Sequence, residues 1–110
     1  MTTLTAAIEE STYVITIPFV DEDSNAVTPT AATWTLSDQY GNVINSRTNV
    51  TISPLSSSVD VVLSGDDLAI GSSGASRRFT VKATYDSSLG TGLKLNAEVT
   101  FVITNLVNVT

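Results

Sequence analysis

Apolar and polar residues alternate along most of this chain, and a period of two predicts β-strands with one buried and one solvent-facing side. Two runs near the C-terminal end show the pattern best. The apolar positions of the first run are Phe79, Val81, Ala83 and Tyr85. Those of the second are Leu93, Leu95, Ala97, Val99, Phe101 and Ile103.

Earlier segments carry shorter versions of the same pattern. The inward positions predicted for them are Leu4, Ala6 and Ile8, then Tyr13, Ile15, Ile17 and Phe19, then Trp34 and Leu36, a weaker pair at Val50 and Ile52, and finally Val59, Val61 and Leu63. Pro18 lacks a backbone donor, so it favours an edge or a bulge at that point.

Turn-forming residues separate these runs. Residues 21–30 predict a loop, and residues 38–42 predict a turn before Val43 and Ile44. Ser64 precedes Gly65, Asp66 and Asp67, an order typical of a short helical turn with a capping serine and carboxylates near its first amides.

The last two strands predict a hairpin with a defined register. If the numbers of facing residues sum to 180, Phe79 faces Phe101 and Val81 faces Val99 on the buried side. The polar side then places Lys82 opposite Glu98 and Asp86 opposite Lys94. A slip of one residue would reverse both sides.

Length and composition predict a single domain over residues 1–110, with 42% hydrophobic and 15% charged residues. The chain has no cysteine, so disulfides and thiolate metal sites are excluded and stability must come from packing. A net charge of −6 disfavours a nucleic-acid partner, whose phosphates are bound by clusters of Lys and Arg. We find no secretory signal and no apolar run long enough for a membrane helix, and we expect folding in the cytoplasm.

These elements predict an all-β protein, an antiparallel sandwich of seven to eight strands with one short helical turn. The pattern, with an inward Trp34 in the third strand, resembles the immunoglobulin-like fold. The chain lacks the cysteine pair of antibody domains and has aliphatic residues such as Ile15 and Val81 instead. A fibronectin-like or a bacterial or viral Ig-like variant therefore fits better.

The acidic segment Asp21-Glu22-Asp23 begins like a calcium-binding loop. A helix-loop-helix calcium loop would need Gly at Ala26 and Glu at Ala32, so that interpretation fails. A looser calcium site near Asp86 is an alternative to a solvated loop; we predict the solvated loop, with no metal and no cofactor.

Catalytic chemistry is not indicated. The adjacent Asp66 and Asp67 suit a helical cap better than acid–base catalysis, which needs two carboxyl groups in different environments. The chain has no histidine to activate its many serines. We therefore predict no catalytic residue and no enzyme.

A binding surface is the remaining hypothesis. Tyr40, beside Gly41 at a hairpin tip, is the one aromatic residue expected to be exposed. Arg77 and Arg78 are interpreted as solvated residues that flank a strand, with a clamp for a phosphate or carboxylate as the alternative. The candidate binding residues are Asp21, Glu22, Asp23, Tyr40, Leu106, Val107 and Val109.

The Thr- and Ser-rich strands and compact acidic turns, as in residues 18–23, 33–38 and 41–44, resemble small Ig-like proteins of tailed bacteriophage particles. The resemblance implies a virion accessory protein, such as a capsid decoration, neck or tail component, that folds in the host bacterial cytoplasm. Its partners would be other virion proteins, and it could form a homo-oligomer on the particle. The alternative is a surface carbohydrate-binding or adhesive module.

Overall fold

Eight strands are present in a computed structural model that describes residues 2–70 and 74–106, and most of them coincide with the alternating runs of the sequence. The strands are β1 (Thr2–Thr3), β2 (Ala7–Ile8), β3 (Thr12–Pro18), β4 (Ala31–Ser37), β5 (Val50–Thr51), β6 (Ser58–Ser64), β7 (Ser76–Ser87) and β8 (Gly90–Thr104). A single 3-10 turn, Gly65–Leu68, lies between β6 and β7 among these residues. The predicted all-β class and the helical turn are confirmed.

The strands form two sheets. The larger has the order β1-β8-β7-β4-β5, and β2 also pairs with β8, while the smaller contains β3 and β6. Both β1 and β2 run parallel to β8. The larger sheet is therefore mixed, and the prediction of a purely antiparallel arrangement is wrong at the N-terminal strands.

One hydrophobic core is shared by the two sheets. Trp34 of β4 stacks on Phe79 of β7 with ring centroids 5.3 Å apart, and Tyr13 of β3 stacks on Phe101 of β8 at 4.7 Å. The inward positions predicted for β3, β4, β6 and β7 face the core in the structure, with Tyr13 and Val59 only partly buried, because alternate side chains of a strand point to one face. The predicted burial of Trp34 is confirmed.

The N-terminal segment departs from the prediction. Ala7 is buried and Ile8 is half exposed, the reverse of the expected phase. Strand β2 is only two residues long, so its partner β8 and the next residue decide which side faces inward. That next residue is the buried Glu9, whose Oε1 accepts a hydrogen bond from the backbone N–H of Leu106 at 3.0 Å.

The β7–β8 hairpin forms as predicted, but with a different register. Facing residues sum to 178, so Phe79 lies opposite Val99 and Val81 opposite Ala97. Lys82 faces Asn96, not Glu98, and Lys94 faces Thr84, not Asp86. Hairpin register is set by the turn, and here Ser87 pairs with Gly90 across two residues, with an irregularity next to Asp86.

Candidate functional site

The acidic segment of the sequence is a tight turn. Oδ1 of Asp21 accepts hydrogen bonds from the backbone N–H groups of Asp23 (2.9 Å) and Asn25 (3.0 Å). The carboxylate oxygens of Asp21, Glu22 and Asp23 lie within 4.8 Å of one another. This carboxylate of Asp21 therefore organises its own loop, as in an Asx turn.

Glu22 ties this turn to the β7–β8 hairpin. Its Oε1 accepts hydrogen bonds from the hydroxyls of Tyr85 (3.0 Å) and Ser87 (3.2 Å). Burial and the hydrogen bond to Glu22 raise the pKa of Tyr85. Two of the three predicted acidic residues thus make structural contacts.

Tyr40 lies at the tip of a second turn, between β4 and Val43, and is 81% exposed. The carboxylate of Asp38 holds this turn, since its Oδ1 accepts from the N–H groups of Tyr40 (2.8 Å) and Asn42 (3.0 Å). The predicted exposure of Tyr40 is confirmed.

The predicted C-terminal residues are described only in part. Leu106 is half exposed beside Glu9, while Val107 and Val109 lie outside the described residues.

The predicted site residues do not form one surface. The turn of Asp21 contacts Tyr85, whereas Tyr40 lies with Arg78 in a shared depression, and Arg78 is seven residues from Tyr85 along β7. At about 3.3 Å per residue this separation is about 23 Å. Tyr40 and the acidic turn are thus at different ends of the strand.

The residues around Tyr40 belong to a polar face that the sequence analysis missed. This outer face of β4, β7 and β8 is a grid of four rows of facing residues. The rows are Ser37–Arg78–Thr100, Thr35–Thr80–Glu98, Thr33–Lys82–Asn96 and Ala31–Thr84–Lys94. We call these twelve residues the outer face; it carries hydroxyl, amide and charged groups and no large apolar side chain.

Charge is concentrated on the outer face. It holds three of the five basic residues, Arg78, Lys82 and Lys94, and only one acidic residue, Glu98. Its net charge is +2, so the remainder of a chain of net charge −6 carries −8. Arg78 and Glu98 make only a loose ion pair of 3.9 Å, and Glu98 also accepts from the hydroxyl of Thr80 at 3.3 Å.

Two shallow depressions cross this face and share Lys82. One, of about 410 Å³, is bordered by Tyr40, Arg78 and Glu98. The other, of about 420 Å³, is bordered by Lys94 and Asn96. The two depressions follow one another along the strand direction and meet at Lys82, and we call them together the trough.

Comparison of the chain with protein-family models, with curated proteins and with solved structures finds no match.

A buried arginine is the second feature that sequence reasoning misjudged. Arg77 is fully buried, not solvated, and its guanidinium donates to four backbone carbonyls. The acceptors are the oxygens of Asp67 (3.3 Å), Ala69 (2.6 Å), Gly74 (2.7 Å) and Ser76 (3.0 Å). Burial lowers the pKa of Arg77, against the opposing effect of Asp38. The alternating pattern of the sequence could have predicted this burial, because Arg77 lies on the same side of the strand as Phe79 and Val81.

Asp67 is a structural carboxylate next to this arginine. It accepts hydrogen bonds from Asn45 Nδ2 (2.9 Å), Arg47 Nε (2.9 Å) and the Ser64 N–H (3.1 Å). Burial would raise the pKa of Asp67, but these donors, Arg47 first, hold it below its ordinary value. The predicted capping role holds for Asp67, and its buried, fully engaged position suits stability.

The outer edge of β8, on the side away from β7, is a further feature of the structure. The Leu4 N–H donates to the Thr100 carbonyl at 2.7 Å, so the backbone polar groups of Thr100 point to the outer edge of β8. Alternate residues share this direction, which places those of Asn96 and Lys94 on the same edge. Strands β1 and β2 pair with Val99–Thr100 and Ile103–Thr104, and no described strand lies along Gly90–Ala97 on this side.

An apolar groove of about 230 Å³ adjoins this edge, between β8 and β3. Its apolar lining residues are Leu4, Ile15, Ile17, Pro18, Phe79, Val81, Ala97 and Val99. Among the described residues, no helix has the length and apolar character needed to cross a membrane.

Proposed function

We propose that this chain is a non-enzymatic binding module that joins a larger assembly through protein–protein contacts at the open edge of β8. The observation that carries the proposal is the edge along Gly90–Ala97, beside which the described residues place no strand, next to an apolar groove. An exposed strand edge is a ready template for an added strand, with backbone hydrogen bonds for affinity and a groove for side chains.

An Ig-like sandwich is the proposed form of this fold. The proposal is supported by the pairing of β3 with β6, by the order β8-β7-β4 in the other sheet, and by the helical turn between β6 and β7. The proposed setting is a tailed-phage particle, with a capsid decoration, neck or tail role, and it is supported by the resemblance of the sequence. Virion proteins would then be the partners.

A pair of substitutions at one position tests the edge contact. Asn96→Pro removes an outward N–H and places a ring where an added strand would lie, whereas Asn96→Ala keeps the N–H. We expect mass spectrometry of purified particles to detect the wild-type chain and Asn96→Ala but not Asn96→Pro. Circular dichroism should show all three folded. Absence of the wild-type chain from particles would contradict the virion role, and retention of a folded Asn96→Pro chain would contradict the edge contact.

A second candidate function, a surface carbohydrate-binding module, is favoured by the exposed Tyr40 at the border of a polar trough. It uses a different face of the molecule, so the two functions can coexist.

A further inference from the structure

We propose that the trough on the outer face binds a linear polysaccharide that carries carboxylate groups. The inference rests on the second candidate function and names its ligand. It does not depend on the edge of β8.

The shape of the face favours a narrow ligand. Three strands about 4.8 Å apart and seven residues of about 3.3 Å each give a face roughly 10 Å wide and 20 Å long. A standard protein interface buries about 800 Å² on each partner, several times this area. An extended polymer can lie along the two joined depressions without needing a wider contact.

The charges of the face favour an acidic ligand. Arg78 and Lys82 lie on one face of β7 and Lys94 lies on the same face of β8, opposite Thr84, with Glu98 as the only acidic group of the outer face. Carboxylates are attracted to this face and repelled by the remainder of the chain, whose net charge is −8. A bound acidic polymer is therefore confined to the trough.

The remaining groups favour sugar over peptide. Tyr40 offers an exposed ring at one end of the trough, where the apolar face of a sugar can stack. Hydroxyls of Thr33, Thr35 and Thr80 and the amide of Asn96 offer both donors and acceptors, which suits a ligand rich in hydroxyl groups. An acidic peptide would use the cations but would make less use of the ring and of the hydroxyl array, in which Thr80 already donates to Glu98 and Thr35 accepts from the Asn49 N–H.

Calorimetric titration with three probes tests the proposal. The probes are a hexamer of galacturonic acid, the neutral maltohexaose and poly-L-glutamate. We expect the galacturonate hexamer to bind most tightly and to weaken as salt is added. If maltohexaose binds equally well, the carbohydrate-binding function remains supported but the proposal that the ligand is acidic is wrong. Equal binding of poly-L-glutamate would overturn both in favour of an acidic protein segment, and no binding of either sugar would also overturn both.

Variants of the face give a matched series. Lys82→Gln should weaken galacturonate binding about tenfold, since it removes a charged contact at the junction of the two depressions. Tyr40→Ala should weaken it by a similar factor, whereas Tyr40→Phe keeps the ring and should bind as the wild type does. Thermal melts should show all three folded. Unchanged affinity in folded Lys82→Gln or Tyr40→Ala would place the ligand elsewhere.

Discussion

Two turns of this molecule share one hydrogen-bonding pattern and the same first and last residue types. In residues 21–25 and in residues 38–42, an aspartate begins the turn and an asparagine ends it. The N–H of each aspartate donates to the carbonyl of its asparagine at 2.9 Å, and each Oδ1 accepts from the residues two and four positions later. The pattern D-x-x-x-N thus specifies this turn twice in one chain.

The surroundings of the two turns differ. Asp21 is partly exposed, whereas Asp38 is only 7% exposed and receives a further hydrogen bond from Asn42 Nδ2 at 3.1 Å. Burial would raise the pKa of Asp38, but the hydrogen bonds from Asn42 and Tyr40, with the charge of Arg77, hold it below its ordinary value. The same D-x-x-x-N pattern therefore makes a surface loop in one place and a buried polar element in the other.

The largest expected effect comes from removing Arg77, whose charge helps to lower the pKa of Asp38. Arg77→Ala leaves four buried carbonyls without their donor and opens a cavity, so we expect a loss of about 3–5 kcal/mol in the free energy of unfolding. Urea denaturation measures it. Arg78→Ala is the matched control, expected to change stability by about 0.5 kcal/mol or less, because Arg78 is partly solvated. Similar losses for the two variants would contradict this account of Arg77.

The two aspartates should also contribute unequally to stability, with Asp38 contributing more than Asp21. Asp38→Ala and Asp21→Ala each remove an acceptor for two backbone N–H groups, but only Asp38 is buried with a third donor and a neighbouring guanidinium. We expect the melting temperature to fall at least twice as far in Asp38→Ala as in Asp21→Ala. Equal decreases would show that the local turn, not its surroundings, determines the contribution.

Protonation of the buried carboxylates of Asp38 and Asp67 should destabilise the folded protein in acid. The folded pKa values of Asp38 and Asp67 lie below the ordinary value of about 3.9, so their ionised forms stabilise the folded state above that pH. We expect the urea midpoint to fall as the pH drops from about 4 towards the folded values, and Asp67→Asn to flatten that dependence. A midpoint that rises on acidification would reverse the sign of the argument.

The smallest expected effect concerns the fourth residue of each turn. Ser24 has φ +63° and Gly41 has φ +87°, a left-handed region that costs a residue with a Cβ about 1 kcal/mol. No atom lies within 4 Å of a Cβ built on Gly41, so backbone conformation alone is at issue. Gly41→Ser should destabilise the protein and Ser24→Gly should stabilise it, each by about 0.5–1 kcal/mol in thermal melts. Changes of the same sign would contradict the shared conformation.

Alternation in the sequence predicted the inward faces of β3, β4, β6 and β7, because hydrophobic burial enforces it over seven or more residues. In β8 only Phe101 and Ile103 of the predicted positions are fully buried, and Ala97 is exposed. Alternation could not fix the register of β7 and β8, since a shift by two residues keeps every side chain on its face. The prediction was also wrong at Ala7 and Ile8, because the orientation of the two-residue strand β2 is set by its pairing with β8 and by the buried side chain of Glu9.

The candidate site was predictable only at Tyr40. Turn chemistry beside Gly41 placed that ring at an exposed tip, and the structure agrees. Arg78, Lys82 and Lys94 form no cluster in the sequence, and Lys94 joins the other two only through the observed pairing with Thr84. The acidic turn, prominent as a sequence motif, is largely occupied by its own hydrogen bonds.

Arg77 also determines where this protein can accept foreign sequence. Its guanidinium donates to the carbonyls of Ala69 and Gly74, so both ends of the connection between them are held by one side chain. The entropy of closing a loop rises only slowly with its length. A peptide tag inserted between Ala69 and Gly74 would therefore lengthen a connection whose two ends are held by the same side chain, which suits this connection to displaying an epitope on the domain.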